Sequence, residues 1–404
     1  MRKGILIALA VLALQADLAR AQYADADLAY PSALPHPILD DIEECSSPTL
    51  WGQVDYLLWW VKDAPVPIPL VTTGTNSTLP GALGQPGTRV LFGDQGVNFG
   101  PTSGVRLTLG AALDADHRFS VEATGFLLPT VYQHYSATSG DDGSPLLAFP
   151  FFSTTPGHVG ESAFQISNPN PVGTPLTGNV QIVSALELWG SELNFGACIW
   201  RSAGFQWTLL GGARYLGLRE SLSISNATTD YAAAPTTQFS QSDNFDTQNQ
   251  FYGGQLGTRF QWQCTRLFAE LTLKCALGVT HQTVDVSGSF DESGATPLSL
   301  QHGFYTEPSN IGRQNADQFG VVPSAQLQFG YQITRCLRAV VGYDFLYWSQ
   351  VVRPGNQIDR NINLSQNAAF NTGGVLVGPA TPAPLFVRSD FWTQGLNVGL
   401  AWVF

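Results

Sequence analysis

Residues 393–404, TQGLNVGLAWVF, end the chain on a strict alternation. Leu396, Val398, Leu400, Trp402 and Phe404 share one parity; Gly395, Asn397, Gly399, Ala401 and Val403 share the other. A period of two is that of a β-strand, because successive side chains point to opposite faces. One face of this strand is large and apolar and the other is small or polar, so what matters is which solvent covers the large side.

The pattern recurs. GVRLTLGAAL (104–113) sets Val105, Leu107 and Leu109 against Arg106 and Thr108, and FYGGQLGTRFQWQ (251–263) sets Tyr252, Leu256, Phe260 and Trp262 against Gln255, Arg259, Gln261 and Gln263. AQLQFGYQI (325–333) repeats it with Leu327, Phe329, Tyr331 and Ile333 against Gln326, Gln328 and Gln332. The strands pair across very short links: 101–113 with 118–134, 182–199 with 204–222, 247–263 with 267–286, and 319–333 with 337–352. Single strands at 50–62 and 389–404 bring the number to about ten, with a range of eight to twelve. Segments rich in Gly, Pro, Ser, Thr and Asn separate the pairs, at about 63–100, 135–181, 226–246, 288–315 and 353–387.

Short and long connections therefore alternate. An outer-membrane barrel has short periplasmic turns, long external loops and an even strand number, whereas a β-sandwich has no reason to keep its long loops at one end. The expected fold is all-β: a transmembrane, antiparallel, up-and-down barrel over 50–404, with both ends of the ring periplasmic and the five long segments outside. Membrane insertion also requires the last strand to pair with the first, around VDYLLWW (54–60), since an open edge cannot sit in lipid.

Composition agrees. Charged residues are 12%, about half the share in soluble domains, while Gly reaches 41 residues and aromatics 11%. With 19 Lys and Arg against 31 Asp and Glu and no basic cluster, nucleic-acid binding is excluded as an expectation. Residues 1–21 have the three parts of a secretory signal: Arg2 and Lys3, an apolar run from Gly4 to Leu14, and small residues at Ala19 and Ala21. Cleavage is expected after Ala21, leaving a periplasmic segment at 22–49. Beyond it no apolar run approaches 20 residues, but hydropathy windows do not detect barrels.

Trp51, Tyr56, Trp60, Trp189, Trp207, Trp262, Tyr343, Tyr347, Trp392 and Trp402 are expected on the lipid face, mostly near strand ends, where aromatic rings favour the interface. LLGGARYLGLRE (209–220) is untidy, because Arg214 and Glu220 share a parity with Leu216 and Leu218. A bulge or kink at Gly211 and Gly212 is expected there, and the facing is left open.

WGQVDYLLWWVKDAPVPIPLVTTG (51–74), LWGSELNF (188–195), LLGGARYLGLRE, FYGGQLGTRF with GVTHQTV (251–260 and 278–284), and GYDFLYWSQVVRPGNQIDR (342–360) together resemble the putative beta-barrel porin-7 family of bacterial outer-membrane proteins. The resemblance implies an outer-membrane barrel of porin type and carries no established catalytic residues.

Parity puts Arg106, Arg118, Glu122, Glu192, Arg259, Glu270, Lys274, Arg338 and Asp344 in the lumen. They could form a constriction that selects solutes by charge, or ion pairs that fill a narrow barrel, since about eight strands are just filled by side chains. Function divides the same way, between passive or gated diffusion of small hydrophilic solutes and a plugged barrel serving as a surface-structural or adhesive protein. Cys45, Cys198, Cys264, Cys275 and Cys336 lack metal-binding spacing. Four of them fall near the periplasmic rim, where disulfides are possible, while Cys275 takes the lipid parity.

An enzyme would need strand-end groups such as His134, His281, His302 and Asp285, which read as solvated loop residues, and neither a nucleophile elbow nor HExxH occurs. No catalysis, cofactor or metal is expected. Expected partners are outer-membrane lipid, the barrel-assembly machinery, for which Leu396, Val398, Leu400, Trp402 and Phe404 form the signal, and small hydrophilic solutes.

Overall fold

The computed structural model describes residues 50–403 except 76–77, 170–175, 232, 234, 295 and 372. The expected signal peptide (1–21), the segment 22–49, Cys45 and Phe404 lie outside the described residues. In chain order the strands are β1 (Leu50–Val61), β2 (Pro69–Thr73), β3 (Arg89–Gly93), β4 (Pro101–Ala112), β5 (Phe119–Thr138), β6 (Leu147–Ser153), β7 (Gly160–Ser167) and β8 (Leu176–Ser202). They continue as β9 (Phe205–Asp230), β10 (Thr237–Cys264), β11 (Leu267–Ser293), β12 (Leu298–Leu300), β13 (Gly312–Gln332), β14 (Leu337–Val352), β15 (Asn361–Ile362) and β16 (Arg388–Val403).

Ten of these close an antiparallel ring in the order β1, β4, β5, β8, β9, β10, β11, β13, β14, β16. The seam joins the last strand to the first, from Trp51 opposite Val403 to Val61 opposite Thr393. The expected short links are the tight turns at one end, and the long segments lie at the other. Bilayer thickness explains the outward face: Val54, Tyr56, Leu107, Leu193, Leu256, Phe329, Val341, Leu396, Val398 and Leu400 are all exposed apolar residues. In a barrel these positions meet lipid, which is why large residues there stabilise the protein.

The ring is higher on one side. A spanning strand needs about 9–11 residues, yet β8 to β11 have 26 to 28, whereas β1 and β4 have 12 and β14 and β16 have 16. On β10 the outward apolar band stops at Tyr252, and above it Gln250, Gln248, Asp246, Asn244 and Ser242 take the same parity. Its part up to Asp246 was expected as the loop 226–246, while Gln248 and Gln250 were expected within the strand 247–263. Instead β9 and β10 continue in register to Asp230 opposite Thr237, because a strand that has left the bilayer has water on its outer face and needs no apolar residues there.

Other expectations also change. The segments 63–100, 135–181 and 353–387 contribute β2 and β3, β6 and β7, and β15 to a second sheet ordered β15, β6, β2, β3, with β7 on β6. The segment 288–315 keeps β11 paired to Ser293 and adds β12. No register shift occurs at Gly211 or Gly212, and β9 turns Arg214, Leu216, Leu218 and Glu220 all inward. Shifts in the ring lie instead at Cys198/Trp200 on β8, Leu128/Val131 on β5 and Trp348/Val351 on β14; that on β5 reverses its parity, so that Gln133 and Tyr135 share the inner face. Trp51, expected on the lipid side, points inward, with its Nε1 3.4 Å from Glu122 Oε2.

Cys198, Cys264, Cys275 and Cys336 are free thiols, so the rim disulfides are not formed among the described residues. Cys275 is exposed between the outward Leu273 and Leu277. In proteoliposomes it should react with a lipophilic maleimide and resist a charged one, while Cys264 and Cys336, at the turns, react with both. Equal labelling of Cys275 by the charged reagent would show that this face is wet.

Candidate functional site

The lumen is layered, and the lowest layer is charged. Arg106 on β4 donates from Nε to Asp55 Oδ2 on β1 at 2.8 Å and from Nη1 to Asp344 Oδ2 on β14 at 3.0 Å; Asn397 on β16 also donates to Asp344, at 2.7 Å. Glu122 on β5 accepts both terminal nitrogens of Arg259 on β10, at 2.7 and 3.0 Å, and Arg259 Nε lies 3.2 Å from Glu270. Glu192 on β8 takes Arg214 at 2.7 Å, Gln255 at 3.0 Å and Lys274 from β11. Several of these pairs join strands that are not neighbours in the ring, so each is a strut across the lumen.

Five carboxylates (Asp55, Glu122, Glu192, Glu270, Asp344) therefore face four cations (Arg106, Arg214, Arg259, Lys274). Local charge nearly cancels. That is what burial in a narrow barrel demands, since an unpaired ion there costs several kcal/mol.

Of the nine expected lumen residues, seven join this network. Arg118 does not: it sits at the β4–β5 turn, largely exposed, 3.8 Å from Asp116. Arg338 lies nearer the mouth, stacked 4.1 Å over Phe268, with its Nε donating to Gln332 at 3.1 Å. Asp55 was missed although its parity in VDYLLWW is that of the lumen, and Arg214 was missed because its strand looked irregular.

A cavity of about 520 Å³ runs through this layer from the short-turn end, where His117, Arg118, Arg201 and Gln263 line it. It stops at a second, apolar layer made by Leu57, Trp59, Leu128, Leu186, Leu188, Leu216, Leu218, Phe251, Val322, Leu346, Trp348 and Phe391, all buried. These come from almost every wall of the barrel, and their side chains meet in its centre.

Above them β14 parts from β13, whose pairing ends at Leu346, while staying on β16. Its register shifts between Trp348 and Val351, and Gln350 takes a left-handed φ of 58°. Trp348 Nε1 donates to Thr280 at 3.0 Å. Asn249 of β10 pairs with both backbone groups of Val352, at 2.8 and 2.9 Å, as a neighbouring strand would. Arg353 then reaches across to β9, donating to Glu220 at 2.6 and 2.9 Å and to the carbonyls of Asp63 at 2.7 Å and Lys62 at 3.2 Å. Arg353 is 0% and Glu220 1% exposed. The sequence held no periodic signal for this latch, because Arg353 lies in an irregular segment and meets Glu220 only through the fold.

The third layer is a core formed between the loops and the high wall, with Leu70, Leu147, Phe149, Phe151, Ile166, Phe245, Phe304, Tyr305 and Ile362 buried together. His134 and His281 point outward, His281 to Asp317 at 2.7 Å, and only His302 enters the cap. The histidines are not brought together, and no group of three or more His, Cys, Asp or Glu among the described residues is placed to hold a metal ion.

The family model that describes the putative beta barrel porin-7 matches residues 51–404. The chain belongs to this family. A porin-7 barrel of this kind is an outer-membrane protein, and the ring of ten strands with its lipid-facing apolar band is its membrane-spanning part. No curated protein matches the porin-7 chain. Among solved structures it overlaps the outer membrane protease OmpT of Escherichia coli at a TM-score of 0.41 and 8% identity, over 88% of this chain and 96% of that one. A FadL homologue of Pseudomonas aeruginosa overlaps at 0.21 and 7%, over 88% and 90%. The outer membrane channel DcaP of Acinetobacter baumannii does so at 0.17 and 7%, over 88% and 96%. These overlaps are too loose to bear on function.

Proposed function

We propose that the protein is a porin for small hydrophilic solutes that is closed at rest by its own chain, and that opening requires the segment from Trp348 to Asn367 to leave the lumen. The observation that carries this reading is the cavity of about 520 Å³ on the short-turn side, lined by balanced ion pairs and ending on a dry apolar layer that the inserted segment completes. A polar solute meets hydrogen-bonding groups as far as that layer and none within it. The charged residues then serve as struts and as a polar lining in which local charge nearly cancels, not as a strongly charge-selective ring. The reading assigns no catalytic activity. It keeps the outer-membrane lipid and the assembly machinery as partners, the latter recognising the outward face of β16.

A second reading is a permanently plugged barrel that carries the cap as a surface or adhesive structure. It is favoured by the length of the high wall, which extends far past the bilayer and is filled by a folded core.

Planar-bilayer recording separates the two. The wild type should show long closed periods, and a variant with 348–387 replaced by a short Gly-Ser link, which removes Trp348 from the apolar layer, should show sustained current. If the shortened protein assembles with native heat-modifiable mobility and conducts no more than the wild type, the gate is wrong and the anchor stands.

A further inference from the structure

The polar cluster that ties the loop between β12 and β13 to the high wall contains two buried carboxylates that its neighbours only partly satisfy. Asp243 is fully buried on the inner face of β10, above the apolar band and so outside the bilayer. Its Oδ1 accepts from the backbone N–H groups of Tyr305 and Thr306, each at 2.9 Å, and from the Thr306 hydroxyl at 2.6 Å. Its Oδ2 has no partner. Glu307, also fully buried, accepts from Asn367 at 2.8 Å with one oxygen. The other lies 3.2 Å from His302 Nδ1, within ion-pair distance but out of line for a hydrogen bond. The loop can lie this close because Gly303 and Gly288 carry no side chain: a Cβ on Gly303 would strike Asp243 Oδ1, and one on Gly288 would strike Thr306 Oγ1.

Asn367 belongs to the segment that closes the lumen, so Glu307 joins two loops. We propose that this cluster is a proton-operated latch, which fastens the cap to the high wall and to the closing segment when protonated and loosens it as the carboxylates ionise and His302 loses its charge. The proposal rests on the closed-at-rest reading only for its effect on conduction.

Three shifts of one sign support it. Burial pushes Asp243 from 3.8 up to about 6, against the hydrogen bonds from Thr306 and Tyr305 and with the help of the Glu307 charge. Burial also raises Glu307, with His302 and Asn367 partly offsetting it. Burial alone would lower His302, but Glu307 more than reverses this and raises it above 6.5. Each group binds its proton more tightly folded than unfolded. Stability from Asp243 is therefore complete below about 4 and lost as pH rises through about 6; that from His302 is complete below about 6.5 and lost above it. The other titratable groups packed here are Tyr305, whose hydroxyl donates to the Pro150 carbonyl at 3.2 Å, and Arg360, which is paired with Glu161 of β7.

Hydrogen exchange on the full-length protein in micelles, corrected for intrinsic rate, tests the latch at about pH 5 and about pH 8. Amides of 302–310 should open more readily at the higher pH, by roughly 10-fold from Asp243 alone, the value of the one pKa unit or so that lies between pH 5 and its folded value of about 6. Asp243→Asn keeps the Oδ1 acceptor and should lose most of that dependence. If it fails to fold, Glu307→Gln should lose a smaller part. Equal protection at both pH values, or full dependence in the variant that folds, overturns the proposal. If exchange responds and conduction does not, the latch stands and the gate falls; if conduction responds and exchange does not, the latch falls.

Discussion

Val398→Arg should sharply lower the amount of protein assembled in the outer membrane, at a cost of about 2–4 kcal/mol. Depth along the strand decides the size of the effect. Between the outward Trp392 and Trp402, which mark the two interfaces, the lipid-facing positions of β16 are Gln394, Leu396, Val398 and Leu400. Val398 is the deeper, 57% exposed to lipid, so Leu400→Arg should be milder, with its side chain able to snorkel to the near interface.

Parity alone makes Gly399 a harmless lumen position for an Arg, but a Cβ there would collide with Asp55 Oδ1 and the Val54 carbonyl oxygen. Gly399→Arg should therefore disrupt the seam itself. Gln326→Arg, which lines the cavity on β13, is the sound control and should assemble nearly as well as the wild type. Fractionation with heat-modifiable mobility reads all four. Tolerated Val398→Arg together with lost Gln326→Arg would mean that the faces are inverted.

Why the ring was legible and the gate was not follows from the solvents. Lipid imposes a period of two on TQGLNVGLAWVF and AQLQFGYQI, so strand number, closure and most lumen residues could be read directly. Where β10 passes into water, residues 237–250 are polar throughout the outer face and, apart from Phe239 and Phe245, on the inner one, and composition alone resembles a loop. Trp51 was misplaced because an aromatic near a strand end fits either the interface or a lumen with a carboxylate to meet; only register separates them. The inserted segment depends on contacts between residues far apart in sequence, Arg353 with Glu220 and Asn249 with Val352, and neither partner carries a local pattern. Turn-rich composition did not reveal that three loops form one sheet, because those strands are short, and their partners lie in other loops.

Arg353→Ala should be the most damaging point substitution in the lumen. It leaves Glu220, buried just above the apolar layer, with no cation, and removing one member of a buried pair costs about 3–5 kcal/mol. It also deletes the donors to the Lys62 and Asp63 carbonyls, which hold the closing segment against the end of β1. Urea unfolding in micelles should show the loss, and bilayer recording should show more frequent open events, since the closed state loses its cross-lumen tie. The double variant Arg353→Met, Glu220→Leu separates these effects. With both charges gone, the desolvation penalty disappears and stability should return to near the wild-type value, whereas the tie to the two carbonyls stays broken. Restored stability with raised conduction is the expected result. A single variant that loses less than about 1 kcal/mol would mean that Glu220 reaches water or another partner, and that closure is not held at this point.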